Sequence, residues 1–562
     1  MTRTKEVYSK YFSKENLQLA WERMIRSNKS DVKDLFGIEI YSANLNDNLE
    51  RLSNIIIHGN YKPSRPFKYY EPKPSKTHRT KTVLSIEDAI VYQAIADKIA
   101  TENYERLAEN NSFVFGNVLH REVQEGTNIL NNPDAEYYFF EYYIPLYNKF
   151  ISSVNREIEN PEIQYMLGTD ITGFFDSIPH SKLLITLHQF GMEPEVLDLL
   201  GECLNIYSGT KESITPGVGL PQGPAASFLF ANIFLNELDY IISQNGYTYY
   251  RYMDDIRIYE ESEGHLTEAL VLIDNYLKGK ALSLNTKKTS IEEIGDNRES
   301  KKMDLLSGYE EHGEYGVETT SLMEIFIKSD DQNSNSSQNK SYLIKTIKGA
   351  ELIDFCKTEV YETEKYLLDK FKNIGASDFR PRDITQEENL KKDIVHIAYR
   401  WRNANSILKN KDVPILNKNL IPIWMFCLEH FFWKANHFCW NLNQYGASSK
   451  IQNGLEKLLP KFKSYEWVRF QILSNLSMNQ KFTSSKLKAL FRIVKNEESS
   501  LVRLGYYMIL VKHVHIENQL YASLKMAIKD DKEPFIKNRL LSLILYKKEL
   551  GDIDEIKYWF GL

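Results

Sequence analysis

The sequence has little cysteine, no long apolar run and no overall excess of basic charge. Its 562 residues include four cysteines, which are too few and too scattered for a disulfide framework. Its longest apolar stretches, such as 228–235, are far shorter than a membrane span. The first residues run directly into polar sequence, so we expect no secretory signal peptide. Together these features argue against a secreted or membrane-bound protein and predict a cytoplasmic one.

The net charge argues weakly against a nucleic-acid partner, but one segment argues for it. The formal net charge is −6, whereas phosphate binding requires lysine and arginine. Such footprints are local, and residues 62–81 contain seven basic residues and one acidic residue. Four prolines hold this segment in extended or turn conformations. The segment is either a nucleic-acid-binding surface or an ordinary solvated loop.

The chain is too long for one ordinary core, so we expect more than one domain. Residues 1–60 have helical patterning, and strand-like and helix-like segments alternate through 61–328. Residues 329–341 contain no apolar side chain and are predicted to form a flexible linker or loop. Beyond the linker strand signals vanish, and helical periodicity dominates 342–562. The pattern predicts an α+β region followed by an all-α domain.

A faint repeat occurs near the C-terminus. The segments 467–469, 501–503 and 535–539 each place an arginine after apolar residues, and these arginines are 34 and 36 residues apart. That interval is typical of a two-helix solenoid repeat. Three loose copies can also arise by chance, so both interpretations stay open.

Two acidic elements indicate metal-dependent chemistry. A short apolar strand ends at Asp170, and two β-rich arms flank Asp254 and Asp255 in the manner of a tight hairpin. Carboxylates brought together from separate strands cannot all stay ionised without a cation, and Mg²⁺ prefers oxygen ligands. Two such ions can activate a primer hydroxyl and stabilise a leaving pyrophosphate. An isolated Asp-Asp pair would more simply be an acidic turn.

A loop between the acidic elements makes the pattern more specific. Residues 216–224 are rich in glycine and proline and precede an apolar helix at about 225–242. Glycine lets the backbone approach a ligand closely, and a helix N-terminus favours anionic groups. A glycine- and proline-rich loop before a helix is common in proteins. Its position between the two acidic elements, at Asp170 and at Asp254, is much more specific.

Five elements of the sequence resemble the motifs of reverse transcriptases, and along the chain they follow the order of those motifs. Asp170 with Phe175 and Asp176 is similar to the first catalytic motif, and Tyr252–Asp255 matches the Tyr-X-Asp-Asp box. The other three elements are Lys73–Arg79 with Ile86–Asp88, whose pattern Ser112–Asn117 continues, Leu220–Gly223 and Leu282–Thr289. The resemblance runs from about residue 60 to 295 and implies a reverse-transcriptase fingers and palm.

The resemblance also implies roles for individual residues. It implies catalysis by Asp170, Asp254 and Asp255, which with Ile171 would hold Mg²⁺ or Mn²⁺. It implies nucleotide contacts by Arg79, Phe175, Gln222 and Lys288, and nucleic-acid contacts by Lys73, Lys76, Pro221 and Gly223. Phe175 would exclude a ribose 2′-hydroxyl, so the substrates would be dNTPs and the product DNA. The alternative interpretation of Phe175 is an aromatic residue of the hydrophobic core. For Asp176 we favour a structural role as an acidic residue in a turn or helix cap.

Departures from the family pattern point to one branch. The compact thumb of group II intron and retron enzymes is replaced by some 220 helical residues, and no endonuclease signature follows. Asn117–His120 only approximates a retron element, and the retron Val-Thr-Gly triplet is absent. A palm followed by HEAT-like helical repeats in place of a thumb is similar to bacterial abortive-infection and other defence-associated reverse transcriptases.

That similarity implies a DNA polymerase in antiphage defence. Some members of the branch polymerise without a template from a protein tyrosine, and many form homo-oligomers. Tyr8, Tyr11 and Tyr41 are weak candidates for such a primer. Two alternatives stay open: a conventional retron-like or group II intron-like enzyme that copies an RNA template or its own non-coding RNA, and an inactive RNA-binding scaffold.

One further cluster resembles a metal site only superficially. Two cysteines and two histidines lie within thirteen residues, at Cys427, His430, His437 and Cys439. Seven aromatic or aliphatic residues are interleaved with them, and on one continuous helix they would not share a face. We therefore interpret the segment as buried helix, not as a zinc site.

Overall fold

The computed structural model describes residues 3–27, 35–295, 298–302, 322–328, 342–372, 388–479, 481–514, 519–537 and 540. The chain divides into two compact units. The first comprises Met1–Tyr70, Arg79–Gly308 and Lys537–Leu543, and the second comprises Glu71–His78, Tyr309–Ile536 and Ile544–Leu562. The domain bounds expected from the sequence, 1–60, 61–328, 329–341 and 342–562, stay a prediction.

Helices dominate the chain as far as the first catalytic motif. The elements are α1 (Arg3–Phe12), α2 (Lys14–Ser27), α3 (Leu35–Ala43), α4 (Leu45–Ile57), β1 (Phe67–Pro72), β2 (His78–Val83), α5 (Ile86–Glu102), α6 (Tyr104–Ala108), α7 (Tyr143–Glu159) and β3 (Tyr165–Asp170), with 3₁₀ helices at Glu109–Ser112 and Arg121–Asn131. Helix α5 begins where its sequence predicts, because the Ser85 side chain accepts a hydrogen bond from the Asp88 amide. The basic, proline-containing segment forms the β1–β2 hairpin.

The second catalytic motif lies among shorter elements. These are α8 (Phe174–Ser177), α9 (His180–Gln189), α10 (Pro194–Tyr207), α11 (Ala225–Gln244), β4 (Thr248–Tyr252), β5 (Asp255–Glu260), α12 (Glu263–Gly279), β6 (Ser290–Glu293) and α13 (Arg298–Lys301). Strands β3 to β6 form a four-stranded sheet in the order β4-β5-β3-β6, with every pairing antiparallel. The sheet and the helices around it share one continuous hydrophobic core.

Helix α11 is the central helix of this core. Thirteen of its twenty residues are buried, including Phe230, Phe234 and Leu238. By length and composition α11 is the one helix among the described residues that could cross a membrane, and 72% of its most apolar window is buried inside the protein. Core helices often have this composition, and burial explains it here without a membrane.

The second unit begins with a β-hairpin that the sequence did not predict. Strands β7 (Leu322–Lys328) and β8 (Tyr342–Lys348) pair antiparallel, with Lys328 opposite Tyr342. The prediction that strands end before residue 329 is therefore wrong. The expected linker, 329–341, lies outside the described residues, but it joins two paired strands.

The rest of the second unit is helical. Its helices are α14 (Gly349–Lys370), α15 (Glu388–Asn410), α16 (Ile421–His430), α17 (Ala435–Asn443), α18 (Ser449–Leu458), α19 (Glu466–Asn479), α20 (Ser484–Lys495), α21 (Ser500–His513) and α22 (Gln519–Lys529), with 3₁₀ turns at Lys418–Leu420, Phe432–Lys434 and Leu459–Phe462. Among its described residues, the region expected to be all-α thus has β8 as its one strand and is otherwise built of helices and their connections.

Two of the expected repeat arginines make the same contact. Arg469 forms an ion pair with Glu497, and Arg503 forms one with Asp531 with two distances of 2.9 Å. Each acid lies 28 residues after its arginine. The third copy reaches residues 538 and 539, which lie outside the described residues. The repeat interpretation stays a prediction.

Candidate active site

Strand register brings the three predicted catalytic acids to one edge of the sheet. Asp170 is the last residue of β3 and lies directly opposite Asp255, the first residue of β5. Asp255 also pairs with Tyr252 at the end of β4, so only Met253 and Asp254 form the connecting turn. Met253 adopts a positive φ of 55°, as two-residue hairpin turns require. The sequence-predicted hairpin therefore places all three carboxylates together.

Two cations offset the charge of this cluster. The Lys288 ammonium lies 2.9 Å from Oδ2 of Asp170, and an Arg257 guanidinium nitrogen lies 3.1 Å from Oδ1 of Asp255. Burial raises the pKa of Asp254 to about 7, helped by the charges of Asp170 and Asp255 and opposed by Lys288. The Asp254 carboxyl group is therefore only partly ionised near neutral pH.

The structure assigns supporting roles to three residues that sequence reasoning missed. Gly168 is the register partner of Arg257, and a Cβ at position 168 would collide with the Arg257 guanidinium. The glycine thus makes room for the cation that faces Asp255. Asn285 donates its backbone N–H to the Asp170 carbonyl over 2.7 Å and its side-chain N–H to the Asp170 carboxylate over 3.3 Å. Cross-strand contacts of this kind leave no local sequence signal.

The carboxylates suit a hard divalent cation in their chemistry. Mg²⁺ and Mn²⁺ prefer oxygen donors, and Asp170, Asp254 and Asp255 supply carboxylate oxygens at this edge of the sheet. Ile171 is buried and forms an isolated bridge with Leu284, so only its backbone carbonyl could serve as a ligand. Among the described residues, no three His, Cys, Asp or Glu side chains are close enough to hold one ion. Shared binding therefore requires these side chains to rearrange.

The position of Phe175 is compatible with both of its predicted roles, a ring that excludes a ribose 2′-hydroxyl and a core aromatic residue. Its ring is partly exposed and meets the Phe228 ring edge-on, with 5.1 Å between centroids. Its carbonyl accepts a hydrogen bond from the Leu220 amide over 2.7 Å. The residue is thus fixed by α11 on one side and by the glycine-rich loop on another, and part of its ring stays accessible.

The residues of the glycine-rich loop differ in exposure. Gln222 is partly exposed, and its side chain donates a hydrogen bond to the Asp176 carboxylate over 3.2 Å. The Gln222 carbonyl accepts a hydrogen bond from the Thr82 amide of β2. Pro221 and Gly223 are buried, so neither presents a side-chain surface to nucleic acid. The loop is therefore attached both to the first motif and to β2.

A buried histidine supports the same loop and escaped the sequence analysis. Nε2 of His180 lies 2.8 Å from the Gly219 carbonyl, to which the Ser208 hydroxyl also donates over 2.6 Å. The Asn205 side-chain oxygen accepts from the Gly217 amide over 3.0 Å. These contacts join residues 11 to 39 positions apart in the sequence, so no local motif predicts them.

The basic residues near the tip of the β1–β2 hairpin are accessible, whereas Lys68 in β1 is buried. Lys76 is exposed in the turn, and Lys73 and Arg79 are partly exposed on either side of it. The turn is closed by hydrogen bonds from the Lys73 amide to the Thr77 carbonyl and from the Lys76 amide to the Lys73 carbonyl. Their assignment to triphosphate or nucleic acid stays a prediction.

The nominated priming tyrosines are poorly accessible. Tyr11 is fully buried and its hydroxyl donates to Glu193 over 2.6 Å, which together with burial raises its pKa. Tyr41 is also buried, and the Tyr8 hydroxyl donates to the Glu195 carbonyl over 3.2 Å. None of the three presents a free hydroxyl on the surface.

The Cys/His segment is divided between α16 and α17 and does not form one continuous helix. All four cysteines of the chain are free and buried. Burial lowers the pKa of His437 well below its usual value, as expected for a neutral core imidazole. The residues therefore contribute to packing between helices.

Comparison with known proteins identifies the domain around this site. Residues 72–315 match the family described as reverse transcriptase (RNA-dependent DNA polymerase). The match is similar in extent to the predicted motif region and supports the prediction of an RNA-directed DNA polymerase. This stretch of the chain is a reverse-transcriptase domain.

Curated relatives are distant. The chain is 26% identical over 171 residues to Retron Ec86 reverse transcriptase of Escherichia coli, which covers 30% of this chain and 50% of that protein. It is 25% identical over 264 residues to an uncharacterized 91 kDa protein in cob intron of Schizosaccharomyces pombe, covering 45% of this chain and 29% of that protein. The chain thus spans half or less of the length of these relatives.

Solved structures with some likeness include telomerases. Apo telomerase from Candida tropicalis aligns with 89% of this chain and 69% of its own, at a TM-score of 0.30 and 10% identity. Telomerase from Candida albicans with a fragment of telomeric RNA aligns with 80% of this chain and 70% of its own, at a TM-score of 0.29 and 9% identity. A likeness of this degree does not establish a shared arrangement of domains.

The raised pKa of Asp254 predicts a pH-dependent gain in stability for Asp254→Asn. The unfolded-state pKa is about 3.9, so between about pH 4 and 7 the folded protein holds a proton that the unfolded chain lacks. The free energy of unfolding of the wild type therefore falls as pH rises through this window. In metal-free buffer with chelator at pH 8, Asp254→Asn should melt about 2–5 °C higher than the wild type.

The gain should shrink towards pH 4, where the wild-type carboxyl is itself neutral. Asp255→Asn is the matched control: it deprives Arg257 of its carboxylate partner, so no gain is expected at either pH. Equal melting temperatures of wild type and Asp254→Asn at pH 8, measured by scanning calorimetry, would contradict the assignment of a repelled carboxylate.

Proposed function

We propose that this chain is an RNA-directed DNA polymerase that adds dNTPs to a primer hydroxyl by two-metal nucleotidyl transfer. The observation that carries the proposal is the strand register that sets Asp170 opposite Asp255 and beside Asp254 inside a reverse-transcriptase domain. The full set of carboxylates disfavours the alternative of an inactive RNA-binding scaffold.

The residues of the site have separable roles in this reaction. Asp170, Asp254, Asp255 and the carbonyl of Ile171 would hold Mg²⁺ or Mn²⁺, which supplies charge stabilisation for the attacking and leaving oxygens. Lys288 forms an ion pair with Asp170 and is exposed, so its ammonium could contact a triphosphate bound beside that carboxylate. Deprotonation of Asp254 prepares the cluster for a cation.

We assign the chain to the defence-associated branch of reverse transcriptases. Support comes from the helices α14–α22, which follow the palm where retron and intron enzymes have a compact thumb. The recurrent arginine–carboxylate pairs favour a HEAT-like repeat in this region. A cytoplasmic location, homo-oligomers, a DNA product active against phage, and template-independent synthesis from a protein primer are parts of this proposal.

A second candidate is a conventional retroelement enzyme that copies RNA. The similarity to Retron Ec86 reverse transcriptase over 171 residues favours it. In that case a structured non-coding RNA would be both partner and template. The two candidates differ in whether synthesis requires added RNA.

DNA synthesis by the purified full chain separates these candidates. With Mg²⁺ and labelled dNTPs but no template, the defence assignment predicts labelled DNA attached to protein, visible as a mass increase of the intact chain. Labelling that appears only with an RNA template and primer would establish the retroelement enzyme instead.

Removal of the turn carboxylates tests the site itself. Asp254→Ala/Asp255→Ala should abolish synthesis, because the loss of preorganised charge stabilisation costs 10²-fold or more per group as an order of magnitude. Glu261→Ala/Glu263→Ala is the matched control, since it removes two exposed carboxylates near the other end of β5. Activity that survives in the first variant would place the chemistry elsewhere.

Phe175→Ala should admit ribonucleotides. If the ring excludes a 2′-hydroxyl, its loss should raise the ratio of rNTP to dNTP incorporation at least about tenfold, or about 1.4 kcal/mol. Phe228→Leu is the matched control, because it removes the ring contact but leaves Phe175 in place. If both variants lose stability equally and neither alters sugar selection, Phe175 is only a core aromatic.

A further inference from the structure

A buried ion pair lies next to the turn formed by Met253 and Asp254, which we call the catalytic turn. Arg251 of β4 and Asp239 of α11 are each 1% exposed. Nε and Nη2 of Arg251 donate to the two carboxylate oxygens of Asp239 over 2.8 and 2.6 Å. The Tyr249 hydroxyl adds a third hydrogen bond to this carboxylate, over 2.8 Å. The pair is therefore bidentate, buried and fixed in orientation.

The remaining nitrogen of the guanidinium reaches the catalytic turn. Nη1 of Arg251 donates to the Met253 carbonyl over 2.9 Å and to the Asn232 side-chain oxygen over 3.1 Å. That carbonyl belongs to the peptide that joins Met253 to Asp254. Because Met253 is a non-glycine residue with a φ of 55°, its conformation costs about 1 kcal/mol or more and needs support from outside the turn.

A second support comes from the segment before the first catalytic motif. A Cβ at Gly116 would lie 2.6 Å from the Met253 amide nitrogen, so the two backbones are in direct contact. The Asn232 side chain donates to the Gly116 carbonyl over 2.7 Å while its oxygen accepts from Arg251. The Phe115 amide donates to the Arg251 carbonyl over 2.9 Å. The turn is thus held between this segment and the Arg251 guanidinium.

We propose that Arg251 is a positioning residue that fixes the Met253–Asp254 peptide and thereby the placement of the Asp254 carboxylate. Asp239 orients the guanidinium, and Asn232 couples it to Gly116. A buried ion pair is seldom more stabilising than apolar residues of the same volume. What this pair adds is a rigid donor aimed at the turn, which a lysine could not match because its ammonium lacks the planar fork. The inference rests on the proposed polymerase activity.

The test compares Arg251→Lys with the matched control Tyr249→Phe. The lysine keeps a charge for Asp239 but cannot hold both Asp239 and the Met253 carbonyl, whereas the phenylalanine weakens the same buried network without touching the turn. Arg251→Lys should lower kcat about 10- to 100-fold, as misplacement of a catalytic group does. It should also raise the Mg²⁺ concentration for half-maximal activity, with a smaller effect on KM for dNTPs. Tyr249→Phe should stay within about threefold of the wild type in all three.

A second variant covers the case in which Arg251→Lys does not fold. Arg251→Met/Asp239→Leu removes both buried charges together, so no unpaired charge is left in the core. It should fold and show the same loss of kcat and the same increased Mg²⁺ requirement. A normal kcat and a normal Mg²⁺ requirement in either folded Arg251 variant would overturn the proposal.

A measurement without catalysis separates this proposal from the proposed function. Amide hydrogen exchange of residues 252–256 should be faster in the Arg251 variants and unchanged in Tyr249→Phe. If the wild type synthesises no DNA with any template or primer, the polymerase proposal fails, while faster exchange in the variants still supports the positioning role. Unchanged exchange in both Arg251 variants overturns that role, whatever the activity.

Discussion

The strand register that brings three carboxylates to one edge of the sheet is the constraint on which the site in the first unit depends. The register of β3 and β5 forces Asp170 and Asp255 to face each other, and a two-residue turn adds Asp254. Like charges at this separation cannot all be ionised without nearby positive charge. Lys288 and Arg257 each place a cation beside one carboxylate, and burial, together with the charges of Asp170 and Asp255, raises the pKa of Asp254. A divalent cation would stabilise the ionised carboxylates more strongly than either of these side-chain cations.

One helix connects the parts of the site. Helix α11 begins directly after the glycine-rich loop and carries Phe228, Asn232 and Asp239, which are four and seven residues apart and so share one face. Through these three side chains it contacts Phe175, the backbone of Gly116 and the buried Arg251. Because α11 is also the most buried helix of the core, the positions of these groups are determined by the packing of the whole unit.

The second unit repeats one electrostatic contact. Arg469 with Glu497 and Arg503 with Asp531 link consecutive helical pairs over the same distance along the sequence. Both pairs are mostly buried, where removal of one partner would leave an uncompensated charge. Each ion pair joins the first turns of one helix, α19 or α21, to the segment that follows the next helix, α20 or α22.

The sequence determined which residues are candidates for the site and in which order the motifs occur. The hairpin at Asp254, the capped start of α5 and the fingers-to-palm order could be predicted, because turn propensity, capping and motif spacing are local. The hairpin at Leu322–Lys328 and Tyr342–Lys348 could not, since its strands are separated by a polar segment that resembles a linker. Only the tertiary structure decided that Arg257 faces Asp255, that Tyr11 is buried and that Arg251 supports the catalytic turn. Those contacts are made between residues that are distant in the sequence. The energy of an ion pair depends on the distance between the two charges and on their burial, which the tertiary structure sets and neither residue determines alone.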